Sequence, residues 1–251
     1  MAEKKIVRAE GERKPASGQI KVEGNSTGLR IGAIALWAVA LAMEVICVLF
    51  IGGKASFMAQ LTGIILFLVL DAAACIAGSL LWKKANHIDP ASEANKTKFW
   101  LQNNLGVIIA CLAFIPVIVY LLTRKDLDPK TKTIGTVVAV IALAVSGLFG
   151  YDFNPVSQED LQEMYSSEDV DVYWVATGTK YHTHADCQHL NASTQEELVV
   201  GSIGQAEEAG KLELCKTCYK RDLKEKENIE GTSELVAETT EASATETTEA
   251  E

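Results

Sequence analysis

Between Phe99 and Leu122, and again between Ile134 and Gly150, this 251-residue sequence has no charged side chain. Soluble helices of that length carry a polar stripe, and the lack of one argues against a water-soluble bundle. No glycine-rich loop precedes a helix in the way that phosphate cradling requires. The 23 Lys and Arg residues are spread over connections and ends, without a basic face, so specific nucleic-acid binding is not expected. A cleavable signal peptide is not expected either, because the polar start is long and no small-x-small site follows a short apolar core. No nucleophile, base and orienting group stand out together, and the expectation is a protein that is not an enzyme.

What is present are four apolar windows. Ile31 to Gly53 contains only Glu44 as a charge, and Ala55 to Trp82 contains only Asp71. The two charge-free windows complete the set. As a helix the first window reaches roughly 34 Å, enough to cross a hydrocarbon core of about 30 Å. Backbone polar groups in lipid must pair within their own segment, so each window is expected to be a helix. Trp82, Phe99, Trp100, Tyr120 and Tyr151 stand at window ends, where amphipathic rings favour the headgroup layer.

Charge is sorted along the chain. The net charge of -10 arises from the C-terminal part, where Asp222 to Glu251 holds ten acids against two lysines. The first thirty residues carry Lys4, Lys5, Arg8, Arg13, Lys14, Lys21 and Arg30 among Pro15 and several glycines. Such a segment reads as a disordered basic arm. Counting Lys and Arg for orientation, a cytoplasmic N-terminus puts eleven inside and five outside. Four spans return the C-terminus to the same face, so both termini are expected to be cytoplasmic. The acidic, Thr-rich tail resembles those of bacterial surface proteins and argues the other way.

Glu44 and Asp71 fall at broadly similar depth in antiparallel helices. A charged carboxylate at mid-bilayer is costly, so each is expected to be protonated or to face the bundle interior. Gln102, Asn103, Asn104 and Ser146 are candidate hydrogen-bond partners, and a proton or cation relay is the functional alternative. Cys47, Cys75 and Cys111 lie in three different windows and read as small core residues. Pro116 is expected to bend the third helix.

After Tyr151 the pattern changes. Ser157 and Asp160 signal the start of a short helix through about Met164. Val170, Val172 and Trp174 alternate with Asp171 and Tyr173 in a strand pattern. The turn at Thr177-Gly178-Thr179 is expected to bring Tyr181 and His182 back against that strand. Ser202 caps a helix through Ala209, with Gly210 as its stop. A module of this size cannot build a large core, and a staple is expected. His182-x4-Cys187 followed after 27 residues by Cys215-x2-Cys218 supplies four zinc ligands; a Cys187 disulfide is the alternative. His184 and His189 are rival ligands, but His184 is expected to turn away from the side that His182 faces.

Val172-Tyr173-Trp174, Gly178-Thr179-Lys180-Tyr181-His182, Cys187, and Ala206 to Gly210 leading into Cys215-Lys216-Thr217-Cys218 resemble the Ada-type metal-binding module, which also occurs on bacterial membrane proteins and secreted nucleases. The resemblance covers about residues 170–221 and implies a structural Zn²⁺. In Ada-like repair proteins all four ligands are cysteines and one accepts a methyl group. His182 stands at the first ligand position here, so the resemblance carries over the metal role and not the methyl transfer.

The fold class expected is therefore an α-helical membrane bundle of four transmembrane helices with a small α+β zinc-knuckle-like module. Its divisions are a disordered arm (1–30), the transmembrane domain (31–150), a linker with a short helix (151–169), the metal-binding module (170–226) and a disordered acidic tail (227–251). The expected role is an integral protein of a bacterial plasma membrane that displays an interaction or sensing unit. Its partners are the lipid bilayer and either another protein or a second copy of the chain. A small oligomeric transporter or channel subunit using Glu44 and Asp71 is the first alternative, and a membrane-anchored nucleic-acid-processing accessory the second.

Overall fold

The computed structural model describes residues 4–56, 58–165, 167, 169–193, 197–226 and 228. It divides into two compact units, residues 24–161 and a second unit formed by residues 1–23 together with 162–251. The division falls within a short helix, α5 (Gln158–Tyr165).

The first unit is built on α1 (Ser26–Ile51), α2 (Gln60–Ile88), α3 (Lys96–Thr123) and α4 (Pro129–Gly150). These four are long and apolar enough to cross a membrane, at 22 to 29 residues each. Each begins or ends outside its apolar window because local capping, not hydropathy, sets helix limits. Asn25, Asn95 and Asp128 accept from Gly28 N, Lys98 N and Thr131 N, which starts α1, α3 and α4 before the apolar run. At the fourth, the least apolar window, Pro129 in the first turn extends the helix five residues upstream of Ile134.

Large apolar side chains point outward. Ile31, Val45, Leu112, Leu122, Ile141 and Leu148 are 56% to 63% exposed apart from Leu122 at 54%, an arrangement costly in water and neutral in lipid. The interior is lined instead by small residues. Ala33, Ala40, Ala113 and Ala139 are fully buried. At Gly106 an added Cβ would come within 2.9 Å of the Gly150 backbone oxygen and 2.7 Å of Ser79 Oγ. Close approach of this kind is how helices associate without a hydrophobic driving force. Farther along, Phe50, Ile51, Ile64, Leu68, Phe114 and Leu121 form an apolar cluster with no exposure.

The second unit overturns one expectation. The arm expected to be disordered contains regular structure among its described residues, 4–30: β1 (Lys5–Arg8) pairs in parallel with β4 (Glu197–Gly201), and β2 (Val172–Trp174) pairs with β4 on its other side, antiparallel. A second small sheet joins β3 (Lys180–Tyr181) and β5 (Glu213–Leu214) in parallel. The arm continues along this sheet, with Leu214 N donating to Lys21 O at 2.8 Å and Glu23 N to Leu214 O at 2.9 Å. Ile20 and Val22 are 2% and 4% exposed. Local composition reads this stretch as disordered because its partners lie far away in sequence; only the pairing reveals two core side chains among the charges.

The remaining elements follow local rules. Tyr173 and His182 exchange both backbone hydrogen bonds, at 2.7 and 2.8 Å, across the turn that Gly178 makes at φ +96°. Buried Lys211 donates to Ala176 O and Gly178 O at 2.9 and 2.6 Å and so closes that turn. Ser202 and Gln205 form a reciprocal capping box at the start of α7 (Ile203–Glu208), and Gly210 at φ +75° follows its end. The expected acidic tail lies, apart from Asn228, outside the described residues.

Ile20→Ala should destabilise the second unit by roughly 2 to 5 kcal/mol, as other buried Ile truncations do. Protease resistance of residues 170–226 in the full-length protein should fall correspondingly, and unchanged resistance would mean that the arm adds nothing to the fold. Gly150→Val should separate α3 from α4 and reduce the yield of folded protein in detergent, whereas Gly147→Val, where an added Cβ meets nothing within 4 Å, should be tolerated.

Candidate metal centre

Three separate pieces of chain converge in the second unit. His182 follows β3 and is fixed by its two backbone bonds to Tyr173. Cys187 stands just before α6 (Gln188–Asn191), whose Leu190 and Asn191 amides both bond the Cys187 carbonyl. Cys215 follows β5, donates its amide to Tyr181 O at 2.9 Å, and receives Tyr219 N at 3.0 Å as a helix over residues 216–226 begins. Cys218 lies one turn into that helix. One ligand atom from each of the four lies within 4.8 Å of the others, and all four residues are buried, between 0% and 5% exposed. Such a cluster could hold a metal ion.

The sulfurs are free thiols. Cys218 Sγ lies 3.6 Å from His182 Nδ1. Hydrogen bonds from the Cys218 thiol, then from His182 and the Cys218 and Thr217 amides, outweigh burial and hold the Cys215 thiol well below its usual range. Cys218 moves the opposite way, because its proton is shared with Cys215 and the site is buried. The opposite shifts mark Cys215 as the more acidic thiol of the pair, at a helix start, where the backbone amides favour negative charge.

The rival histidines are used elsewhere. His184 Nε2 is 2.7 Å from Asp222 Oδ1, and His189 Nε2 is 3.1 Å from Thr217 Oγ1. Asp222 Oδ2 also accepts from Tyr165 OH at 2.7 Å and Thr183 Oγ1 at 2.8 Å. Burial, followed by the Asp222 charge, pushes the Tyr165 phenol above its ordinary value, so it stays a donor. His184, Asp222 and Glu225 also have ligand atoms within 4.8 Å of one another. Both Asp222 oxygens are already occupied, and that group is read as a hydrogen-bonded clasp between α5 and the last helix. The clasp was not apparent from spacing, since its members are separated by up to 57 positions.

In the first unit the two carboxylates within the apolar helices differ. Asp71 is 0% exposed, with Oδ1 accepting from Cys75 Sγ at 3.5 Å. Glu44 is half-buried on α1, within electrostatic range of Asp71. Of the four polar residues suggested as their partners, three bond elsewhere. Gln102 and Asn103 pair with Asn86, and Asn104 donates to Trp100 O in its own helix. Ser146 Oγ has no partner.

No family model, no curated protein and no solved structure matches the chain.

Asp222→Ala should strand the buried Tyr165 hydroxyl and cost roughly 1 to 3 kcal/mol of stability in the second unit, with metal content unchanged. His184→Ala should cost less, because Thr183 and Tyr165 still anchor Asp222. Loss of metal on His184→Ala would place that side chain at the ion instead.

Proposed function

We propose that the chain is a multi-pass protein of a bacterial plasma membrane whose C-terminal module, stapled by one structural Zn²⁺, serves as an interaction or sensing unit. The observation that carries the zinc assignment is the buried cluster of His182, Cys187, Cys215 and Cys218. Tetrahedral zinc with sulfur at 2.3 Å and nitrogen at 2.0 to 2.1 Å needs ligand atoms about 3.5 to 3.8 Å apart. The 3.6 Å separation of Cys218 Sγ and His182 Nδ1 suits that edge. Thiolates with an imidazole are a donor set for zinc rather than for hard cations, which take oxygen.

Four protein ligands leave no open position for water, which favours a structural over a catalytic ion. The likeness to the Ada-type module agrees with this reading, and His182 at its first ligand position removes one thiolate that methyl transfer would use. Placement of both termini in the cytoplasm rests on the eleven-to-five excess of Lys and Arg on that side. A partner protein or a second copy is the expected ligand of the module, since the Lys and Arg residues are spread along the sequence and not gathered in one basic run.

Full-length protein purified without added metal should contain one zinc per chain, and Cys218→Ser should lower that content severalfold. Because metal binding is coupled to folding, a strong chelator should abolish the protease resistance of residues 170–226 while leaving the helices of the first unit intact. Zinc-free protein with a Cys187 disulfide would refute the assignment. Thiol labelling of Ser17→Cys in intact cells should be silent if the N-terminus is cytoplasmic.

A further inference from the structure

The bundle interior contains polar atoms that no protein group satisfies. Asn103 Nδ2, Trp37 Nε1, Ser146 Oγ and Asp71 Oδ2, one from each of α3, α1, α4 and α2, are buried without a hydrogen-bond partner. In native proteins such atoms are few, and each calls for an explanation. Their heights in the bundle can be placed. Gly106 and Gly150 meet beside Ser79, Gly135 lies beside Ile64, and Trp37 Nε1 lies over Gly78, where an added Cβ would come within 2.6 Å. In the register of α2, Asn103 is thus level with about residue 82, Trp37 with 78 and Ser146 with 75, above Asp71 itself.

Along the bundle axis these atoms form a ladder, which descends about 16 Å from Asn103, itself about 9 Å inside the end of the bundle where α2 finishes and α3 begins, in axial steps of about 4 to 6 Å. One bridging water joins heavy atoms about 5 to 6 Å apart, through two hydrogen bonds of about 2.8 Å. At the top, Asn86 bonds Gln102 O at 3.0 Å and Asn103 Oδ1 at 3.3 Å, and Trp82 Nε1 bonds Gln102 O at 2.7 Å. Below Asp71 the character reverses. Leu68, Ile64, Phe50, Ile51, Val117 and Leu121 have no exposure and fill the way to the other end. Thr136 Oγ1, about 9 Å beyond Asp71, is unpartnered at the level of this apolar plug.

We propose that water enters the bundle along this ladder and stops at Asp71, making Asp71 a protonation site that exchanges with one side of the membrane only. Asp71 has no cationic partner, and an ionised carboxylate at that depth is costly, so the resting group is the acid. With Oδ1 accepting from Cys75, the proton sits on Oδ2, which then needs an acceptor that water supplies. The other titratable groups facing Asp71 are Glu44 and Cys47 on α1 and Cys75 on α2. The apolar stretches of α3 and α4 carry no Asp, Glu, Lys, Arg or His. Hard divalent cations take six or more oxygen ligands, and two carboxylates among thiols do not provide them. A proton is the ligand that fits.

Infrared difference spectra of the full-length protein in lipid nanodiscs test this directly. A carboxylic-acid carbonyl band should shift on transfer to D₂O faster than the transmembrane amides exchange. That band should vanish in Asp71→Asn, move in Asp71→Glu and persist in Glu44→Gln, while Ser146→Val should slow its shift. A band that ignores D₂O would mean a dry interior, and no Asp71-dependent band in either Asp71 variant would remove the protonation site. In sealed vesicles Asp71 should support no net proton flux, because the plug closes the far end; Asp71-dependent flux would overturn the one-sided arrangement.

Discussion

A polar group removed from water must find its partner inside the protein, and that single requirement organises both halves of this chain. In lipid it forces each apolar window into a helix, because no open strand could satisfy its own backbone there. In the small second unit it binds distant segments, since β1 completes the backbone hydrogen bonds of β4, and the stretch around Val22 those of β5 at Leu214. The requirement is left unmet by protein groups at Asp71, Asn103, Trp37 and Ser146, and the proposed entry of water rests on these four.

The two units solve the problem of a small core differently. The unit of four long apolar helices packs through small residues, with Gly106 against Gly150 and alanines at the contacts, the mode by which helices associate in lipid. The second unit lacks enough apolar surface for that route and gathers its strength from cross-links. Asp222 ties Tyr165, Thr183 and His184 together, Lys211 closes the turn at Gly178, and Glu23 accepts from Lys180 Nζ at 2.6 Å and Lys216 N at 3.3 Å. The His/Cys cluster lies among these contacts, where a metal would join β3, α6 and the last helix.

How much of this was legible in the sequence depended on range. The apolar windows announced the four helices, because a helix in lipid is specified by its own residues. Their ends were less legible, since Asn25, Asn95 and Asp128 act through single side-chain bonds that hydropathy does not register. The turn that returns His182 to Tyr173 and the cap at Ser202 were readable for the same local reason. β4 was not recognised, because Glu197–Gly201 does not alternate and is defined by neighbours on both sides, one of them from the first ten residues of the chain. The pairing of the arm is hidden from local composition for the same reason. The spacing of His182, Cys187, Cys215 and Cys218 drew attention to these four residues, whereas the Asp222 clasp and the polar ladder above Asp71 exist only in three dimensions.

The central claim is that these four side chains share one zinc ion. X-ray absorption at the zinc edge of the full-length protein in lipid measures its coordination shell directly. The account predicts three sulfurs near 2.3 Å and one nitrogen near 2.0 to 2.1 Å. A shell dominated by oxygen, or one with fewer than three sulfurs, would contradict it.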